Sequence, residues 1–329
     1  MTTVLMTGAS GFVGTETLRA LLQRGLEVRA LVRASSRTDA LQAMGVPVVI
    51  GDLASGEGLR EALGDVEVVL HAAGGGYARS TACFYRNNLE TTRSLADAIC
   101  ANPGTIRHVI FLSSVSAGGP ARDAQVPDEA DWRRPVSHYG KSKAAAEDVL
   151  ADAARRCGFA LSVVRPPAIY GPGDTRLLPL FRAIARGLAP LPASARATSL
   201  LHVVDCAEAL ATLCALEAPE PFSCYGLSDG HVYPWPQVIG AIGAAVGTRP
   251  RRVPLPTALL YGAALASEGL GRLRGEAVLM TRDKVRDMRQ AYWLCSPAAL
   301  AAASGWAPTR ALDEGMRETA ASYRAAGWL

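Results

Sequence analysis

Tyr139 and Lys143 are the residues whose types and spacing most directly suggest chemistry, within the run Tyr139-Gly140-Lys141-Ser142-Lys143. Residues four apart share one face of a helix, so this phenol and this ammonium can point into the same cavity. A nearby ammonium favours the phenolate and lowers the pKa of a tyrosine. A tyrosine tuned in this way can exchange a proton with a substrate oxygen near neutral pH. The spacing predicts a proton-transfer pair, with a chance pairing on an ordinary helix as the alternative.

The distribution of lysine strengthens this interpretation. The chain has 34 lysine and arginine residues, of which only three are lysines, and two of these, Lys141 and Lys143, follow Tyr139 closely. Arginine stays charged and lacks both the compact charge of lysine and its readiness to change pKa. Lysine at position 143 in an arginine-rich chain therefore favours a chemical role.

Composition narrows the class of protein. The chain has 329 residues, enough for one large or two modest domains, with 49% hydrophobic and 19% charged residues. The net charge is +4 and the basic residues are scattered, so a nucleic-acid partner is not expected. The apolar stretch at residues 255–273 contains Glu268 and Arg272. It predicts an amphipathic helix, with peripheral lipid contact left open, rather than a membrane span.

The cysteines carry no recognisable pattern. Seven are present, without a C-x-x-C pair or the spacing of a metal site. Because the count is odd and no signal-peptide pattern precedes the first strand, we expect reduced thiols, no metal, and a cytoplasmic location.

A glycine-rich turn near the N-terminus predicts nucleotide binding. The apolar run at residues 3–7 reads as a buried strand and is followed by Gly8-Ala9-Ser10-Gly11-Phe12-Val13-Gly14, after which a helical pattern begins. Such a turn lets backbone N–H groups and the helix N-terminus face a pyrophosphate. An ordinary tight turn is the alternative.

The end of the second predicted strand, residues 28–32, bears on the choice of cofactor. This position meets the adenosine ribose, where an acid binds the 2′-hydroxyl and an arginine suits a 2′-phosphate. Arg33 stands there and no acid does. The sequence therefore favours NADP(H) over NAD(H), with NAD(H) and a solvated surface arginine as the alternatives.

Further strands are predicted at residues 46–50, 66–70, 109–112 and 161–164. This alternation with helices predicts an α/β fold with a doubly wound parallel sheet of the Rossmann type. Ligands of such sheets bind beyond the carboxyl ends of the strands. We therefore expect one edge of the sheet to carry the groups that follow strand ends: Gly8 to Gly14, Arg33, Asp52, Ala73, Ser114 and Arg165. Asp52 can accept from adenine or cap the next helix, and His71 is interpreted as locally packed rather than catalytic.

The composition of the sequence changes after Arg165, where proline and alanine become frequent and helical patterns dominate. We predict a cofactor-binding domain at residues 1–165, to which residues 200–224 return. A smaller, mostly helical substrate domain is predicted at residues 166–199 and 225–329.

Several motifs in the expected order resemble those of the extended short-chain dehydrogenases/reductases, an epimerase/dehydratase-like superfamily. They are the Gly8–Gly14 turn, Gly51-Asp52-Leu53, Ser113-Ser114, Tyr139-x-x-x-Lys143, Arg165-Pro166-x-x-x-Tyr170-Gly171-Pro172-Gly173 and Leu201-His202-Val203-Val204-Asp205. Nucleotide-sugar enzymes of this family usually carry an asparagine where this chain has Ala168. The pattern is more similar to the branch of 3β-hydroxysteroid and sterol-4-carboxylate dehydrogenases and dihydroflavonol reductases.

The resemblance implies roles for individual residues. Ser114 would orient the substrate oxygen, with Ser113 as the less favoured candidate, Tyr139 would exchange the proton, and Lys143 would hold the nicotinamide ribose. The implied cofactor-binding residues are Gly8, Ser10, Gly11, Phe12, Val13, Gly14, Arg33, Asp52, Leu53, Ala72, Ala73, Gly74, Asn88, Tyr139, Lys143, Pro166, Ala168 and Ile169. The expected substrate contacts are Tyr77, Ser114, Ser116 and Tyr170.

The implied activity is an NAD(P)(H)-dependent interconversion of a secondary alcohol and a ketone on a bulky apolar small molecule. A homodimer packed through residues 88–100 and 139–154 is also implied. A nucleotide-sugar epimerase or dehydratase stays open as an alternative, and so does a non-catalytic NADP(H) sensor.

Overall fold

The computed structural model describes residues 2–76, 78–102, 104–127, 132–274, 278 and 280–329. The strands within these ranges are β1 (Thr3–Thr7), β2 (Glu27–Val32), β3 (Val48–Ile50), β4 (Val68–His71), β5 (His108–Leu112), β6 (Ala160–Arg165), β7 (Ala168–Tyr170), β8 (Leu188–Pro192), β9 (Ala197–Thr198), β10 (Leu200–His202), β11 (Phe222–Gly226), β12 (Tyr233–Pro234), β13 (Arg251–Leu255) and β14 (Tyr292–Trp293). The helices are α1 (Phe12–Gln23), α2 (Asp39–Ala43), α3 (Leu59–Leu63), α4 (Thr81–Phe84), α5 (Thr91–Cys100), α6 (Val115–Gly118), α7 (His138–Cys157), α8 (Leu178–Ala185), α9 (Val203–Cys214), α10 (Trp235–Val246), α11 (Thr257–Arg274), α12 (Arg282–Met288), α13 (Ala298–Ser304) and α14 (Leu312–Ala325).

Seven parallel strands form the main sheet, in the order β11-β6-β5-β4-β1-β2-β3. The chain reverses its direction of travel across the sheet between β1 and β4, which opens a crevice at the carboxyl ends of these two strands. Val4, Leu5 and Met6 of β1 are fully buried, as expected for a central strand covered on both faces. The predicted doubly wound Rossmann-type fold is confirmed.

Helices cover both faces of this sheet. One face packs against α1 and α9 through a core that includes Leu18, Leu21 and Leu210. The other face packs against α3, α5 and α7 through Leu95 and Leu150. The sheet is thereby fixed between two layers, so the groups at its carboxyl edge rest on a rigid support.

The remaining elements form smaller cores. Helices α8, α10 and α14 pack around Phe181, Ile242 and Tyr323, and α11 packs against α12 through Leu260, Ala264 and Val285. Strand β10 pairs with β7 outside the main sheet, whereas β11 returns to it beside β6. The division of the chain into two domains stays a prediction.

The helix predicted at residues 88–100 begins earlier than expected. It follows α4 directly, because a π-helical turn at Tyr85–Glu90 joins α4 to α5. Such a turn inserts an extra residue into the helix and redirects the side chains that follow. Asn88 lies in this turn, and its side chain is only 1% exposed.

The prediction that all the cysteines are reduced thiols is wrong. Cys100 and Cys157 form a disulfide that joins the end of α5 to the end of α7, across a sequence separation of 57 residues. Their spacing could not reveal this pairing, because only the packing of α5 beside α7 brings the two residues together. The cysteine pattern therefore no longer supports the predicted cytoplasmic location. In the described part of the chain, none of the helices combines the length and apolar character needed to cross a membrane.

Candidate active site

The glycine turn after β1 packs so tightly against the end of β4 that side chains would not fit. Gly8 has a φ of +76°, and a Cβ atom there would lie 2.7 Å from the backbone of Ala72 and Ala73. A Cβ atom on Gly14 would lie 2.0 Å from the carbonyl oxygen of Gly8. Both positions therefore need glycine, because neighbouring backbone atoms leave no room for a Cβ atom. Gly8 also needs it because of its positive φ. The turn lies at the crevice between β1 and β4.

Helix α1 begins at this turn with its first N–H groups available. Its N-cap is Gly11, which offers no side chain to those groups, and Ser10 and Gly11 are exposed while Phe12 and Val13 are half-buried. A helix N-terminus carries a partial positive charge and attracts anions. This cradle fits the pyrophosphate of a dinucleotide.

The end of the crevice beyond β2 carries a free cation. Arg33 follows β2 directly and is exposed, and within the described ranges it forms no ion pair. Arg29, by contrast, is held by Asp65 at 2.9 Å. Asp52 accepts a hydrogen bond from the N–H of Ala54 at 2.8 Å and so stabilises its own turn, beside the half-buried Leu53.

Helix α7 is capped from two sides at the point where it presents Tyr139. The hydroxyl of Ser137 accepts a hydrogen bond from the N–H of Gly140 at 3.1 Å and so caps the helix. Asp283 of α12 accepts from the N–H groups of His138 at 2.8 Å and Tyr139 at 3.2 Å. The orientation of the tyrosine backbone therefore depends on an acid 144 residues away in the sequence.

The hydroxyl of Ser114 lies near the phenol of Tyr139. Burial raises the pKa of Tyr139, while the hydroxyl of Ser114 and the charge of Arg176 oppose that rise and the charge of Asp287 adds to it. The prediction that Lys143 lowers the pKa of Tyr139 is wrong for this arrangement. The effect of burial on the pKa of Tyr139 is larger than the effects that lower it. The ammonium of Lys143 donates instead to the carbonyl oxygen of Leu112.

Lys143 lies one turn further along α7 and is only 3% exposed. Its Nζ donates to the carbonyl oxygen of Leu112 at 2.7 Å and lies 4.1 Å from the ring centroid of Phe111. Burial lowers the pKa of Lys143 to about 7, although the carboxylate of Glu147 opposes this effect. The ammonium is thus fixed at the carboxyl end of β5, beside the loop that contains Gly74.

A buried ion pair separates the roles of the two serines. Glu147 of α7 accepts from Arg165 at 2.6 Å and from the hydroxyl of Ser113 at 2.5 Å. Ser113 is 5% exposed and committed to this network. Ser114 is half-buried instead, and its hydroxyl accepts from the N–H of Ser116 at 3.2 Å and meets Tyr139. This favours Ser114 over Ser113 as the group that contacts a substrate.

Asn88 links the loop after β4 to α7. Its Oδ1 accepts from the N–H of Gly75 at 3.0 Å, and its Nδ2 donates to the hydroxyl of Ser142 at 2.9 Å. The bond to Gly75 holds the loop that starts at Ala72, Ala73 and Gly74, all of which are accessible at the end of β4.

His71 is fully buried between Thr7 and Thr92, with ring nitrogens 2.7 and 2.9 Å from their hydroxyls. Burial lowers its pKa to about 3. The interpretation of His71 as locally packed is confirmed.

The segment after β6 offers fewer accessible side chains to a cofactor or substrate than the sequence predicts. Pro166 is buried and its carbonyl oxygen accepts from the N–H of Val115 at 2.9 Å, whereas Ala168 is exposed. Ile169 is 7% exposed and Tyr170 is completely buried, each within a hydrophobic core. The predicted substrate contact by Tyr170 needs correction, because the ring of this tyrosine packs against His202 and offers no surface. Ser116 is also nearly buried, and Tyr77 lies outside the described residues.

The sequence of residues 4–224 matches the family model of the NAD dependent epimerase/dehydratase family. The chain belongs to this family.

Several relatives of this family member are reductases. It is 31% identical over 329 residues to the ceramide reductase of Caulobacter vibrioides, covering 99% of the chain and 96% of the relative. It is also 31% identical to the 2-alkyl-3-oxoalkanoate reductase of Stenotrophomonas maltophilia, covering 98% and 99%. The crystal structure of the UDP-glucose 4-epimerase of Thermus thermophilus with NAD is 25% identical, covers 98% and 99%, and superposes with a TM-score of 0.78. The chain is therefore an NAD(P)-dependent enzyme of the extended short-chain dehydrogenase/reductase type.

Several charged groups around Tyr139 could not be predicted from the sequence. Arg176 lies 5.4 Å from the ring centroid of Phe12 and is held by the buried Asp174 at 3.1 Å. Asp283 and Asp287 come from α12. None of them stands in a recognisable motif, and a short helix far along the chain gives no sign of where it packs.

Asp287 should influence the titration of Tyr139 in the family enzyme. Burial raises the pKa of Asp287 to about 6, so this carboxyl is ionised above that pH, and its charge raises the pKa of Tyr139. In the variant Asp287→Asn the charge is gone, so the pKa of Tyr139 falls and the pH–rate profile of alcohol oxidation moves to lower pH by roughly half a unit. The profile of kcat/KM between about pH 6 and 10 measures this shift. Asp313→Asn, at an exposed position of α14, serves as the control, and a shift to higher pH would contradict the expectation.

Proposed function

We propose that the protein interconverts a secondary alcohol and a ketone on a bulky apolar molecule of the sterol, flavonoid or β-keto-acid kind, using NADP(H). The observation that carries this proposal is the placement of Tyr139 near Ser114, with the buried Lys143 one turn away, beside the glycine cradle of Gly8 and Gly14. A proton donor, an oxygen-orienting hydroxyl and a dinucleotide cradle together form the set that ketone reduction requires.

Each of these residues has a distinct task in the proposed reaction. A nicotinamide held at this site would supply the hydride to the substrate carbon or accept it from there. Ser114 donates a hydrogen bond to the substrate oxygen and orients the carbonyl. Tyr139 gives its hydroxyl proton to that oxygen during reduction and removes it during oxidation. Lys143 would bind the nicotinamide ribose through its Nζ, which is held at the carboxyl end of β5.

The substrate class is supported by two of the relatives and by one residue. The names of the Caulobacter and Stenotrophomonas enzymes give a ceramide and a 2-alkyl-3-oxoalkanoate, both of which carry alkyl chains. Ala168 replaces the asparagine typical of enzymes that act on nucleotide sugars. Both observations favour an apolar substrate.

A panel of substrates tests the proposal. Sterol and flavonoid ketones, β-keto acids and long-chain ketones should be offered with NADPH or NADH, and consumption of the reduced cofactor followed by its ultraviolet absorbance. We expect turnover with at least one apolar ketone. Absence of hydride transfer to every member of the panel would contradict the proposal and would favour a non-catalytic NADP(H) sensor.

The second candidate is a nucleotide-sugar epimerase or dehydratase, supported by the similarity to the Thermus epimerase. It predicts that the dinucleotide stays bound through purification and that the protein binds a nucleoside diphosphate. Calorimetric titration with UDP separates the two candidates, because an enzyme for apolar ketones has no use for that ligand.

The cofactor preference depends on Arg33. Because this guanidinium is exposed beyond the end of β2, where an arginine suits a 2′-phosphate, Arg33→Asp should raise the KM for NADPH by about tenfold or more and leave the KM for NADH unchanged or lower. Arg60→Asp, an exposed position on α3, is the matched control. Equal effects on both cofactors would argue against an Arg33 contact to a 2′-phosphate.

A homodimer through residues 88–100 and 139–154 belongs to the same proposal. Light scattering of the purified protein gives the mass directly, and a monomer would contradict it.

A further inference from the structure

Helix α11 exposes an unusual amount of apolar surface. Leu259, Leu265, Leu270 and Leu273 are 58%, 54%, 48% and 86% exposed. At about 100° per residue in a helix, these four leucines point to one side together with small residues, namely Ala258, Gly262, Ala263, Ala266 and Gly269. We call these nine residues the leucine face. A contiguous apolar surface of this kind marks a site of interaction.

The other side of α11 fixes it to the protein. Leu260 and Ala264 are buried against Val285 of α12. The helix is thus held by one stripe, and the leucine face points away from it. The leucines are not excess core residues displaced by poor packing, because the opposite stripe already forms a core.

The charges on α11 that lack an ion-pair partner among the described residues are all positive. Its only acid, Glu268, is neutralised by Arg282, whose Nε lies 2.9 Å from the carboxylate. Arg272 and Arg274 are exposed in the last turn, about 100° to either side of the centre of the leucine face. Neither arginine forms an ion pair with any of the residues that the structure describes. An apolar face flanked by unneutralised arginines characterises helices that lie on membranes.

We propose that the leucine face lies in the headgroup region of an anionic phospholipid bilayer, with Arg272 and Arg274 contacting lipid phosphates. Charge complementarity favours this occupant. A second copy of the chain docked on the same face would bring two more arginines to an apolar contact and leave all four positive charges without a partner there. Anionic lipid would neutralise the two arginines instead. The helix has 18 residues and is about 27 Å long, so that it can lie flat along the surface over its whole length.

Docking in this way would bring the bilayer close to the candidate active site. Helix α11 packs on α12, and Asp283 of α12 accepts from the N–H groups of His138 and Tyr139. Only one short helix therefore separates the membrane-facing helix from the start of α7. This consequence rests on the proposed function, since an apolar substrate partitions into the bilayer, whereas membrane binding itself does not depend on it.

Flotation with vesicles tests the proposal on the full-length protein. Wild-type protein should float with vesicles of phosphatidylglycerol and phosphatidylcholine, and much less with pure phosphatidylcholine. The double variant Leu259→Gln/Leu270→Gln keeps good helix-forming residues, and should lower the fraction bound by about tenfold or more because it removes the apolar anchor. Arg272→Gln/Arg274→Gln should remove the preference for anionic vesicles.

Phe222→Gln is the matched control, because it removes a side chain that is 55% exposed on the edge strand β11, outside the leucine face. This variant should bind like the wild type. Circular dichroism and thermal melting verify that every variant folds.

Failure of the wild-type protein to float with anionic vesicles would overturn the proposal, as would equal binding by the Leu259/Leu270 variant. A wild-type dimer that the same variant converts to a monomer would also overturn it, by assigning the face to a second copy. Ketone turnover is measured separately, so that loss of the proposed function and loss of membrane binding are told apart.

Discussion

Tyr139→Phe is expected to lower kcat by roughly 10²–10⁴-fold, the usual contribution of a general acid or base. The phenol lies near Ser114 at the end of the sheet, and phenylalanine keeps the ring while removing the transferable proton. The ring contact with Phe84, with centroids 6.0 Å apart, should persist, so the fold and the affinity for the dinucleotide should be nearly unchanged. Steady-state kinetics and a fluorescence titration with NADPH measure the two effects.

Tyr323→Phe is the matched control for the loss of a phenolic hydroxyl. Tyr323 is fully buried in the core around α14, and its hydroxyl has no hydrogen-bond partner among the described residues. Its removal should therefore leave kcat as it is. If Tyr139→Phe retained wild-type turnover, Tyr139 would not be the proton donor, and the proposed mechanism would fail.

Lys143→Met should lower kcat/KM by roughly 10²-fold, because it removes a preorganised positive charge from the site. The ammonium of Lys143 is buried, fixed by the carbonyl of Leu112, and adjacent to the loop that contains Gly74. Unlike Tyr139→Phe, this change should also weaken binding of the dinucleotide, since the proposed contact to the nicotinamide ribose is lost. Kinetics over a range of NADPH concentrations, together with calorimetry, separates the two contributions.

Lys141→Met provides the control for this second substitution. Lys141 lies on the same helix two residues earlier, but its side chain is exposed. The same change of residue there should leave both turnover and cofactor affinity intact. Equal losses in the two variants would mean that the effect arises from net charge or helix stability rather than from the buried ammonium.

The amino-acid sequence determined the local elements and their order. The strand, glycine turn and helix at the N-terminus could be predicted, because apolar runs and glycine spacing record local backbone geometry. The alternation of strands and helices then implied the parallel sheet, since consecutive parallel strands require crossovers. It also placed Tyr139 and Lys143 on one helix, and Ser114 after a strand. The main part of the candidate site could therefore be predicted from hydrophobic periodicity and sequence motifs.

The tertiary structure decided how those groups are held and charged. Asp283 and Asp287 reach the start of α7 from α12, and Glu147 pairs with Arg165 across the sheet edge, through contacts that no sequence spacing encodes. Burial reversed the predicted pKa shift of Tyr139, because the cost of a buried phenolate depends on what surrounds it.

The same reason explains the other corrections. The Cys100–Cys157 disulfide and the enclosed ring of Tyr170 both result from elements that meet only after folding. The sequence determined which residues face the same way along one helix or follow the same kind of strand. Distances, burial and electrostatic partners depend on segments far apart in the chain, and only the packing of those segments decided them.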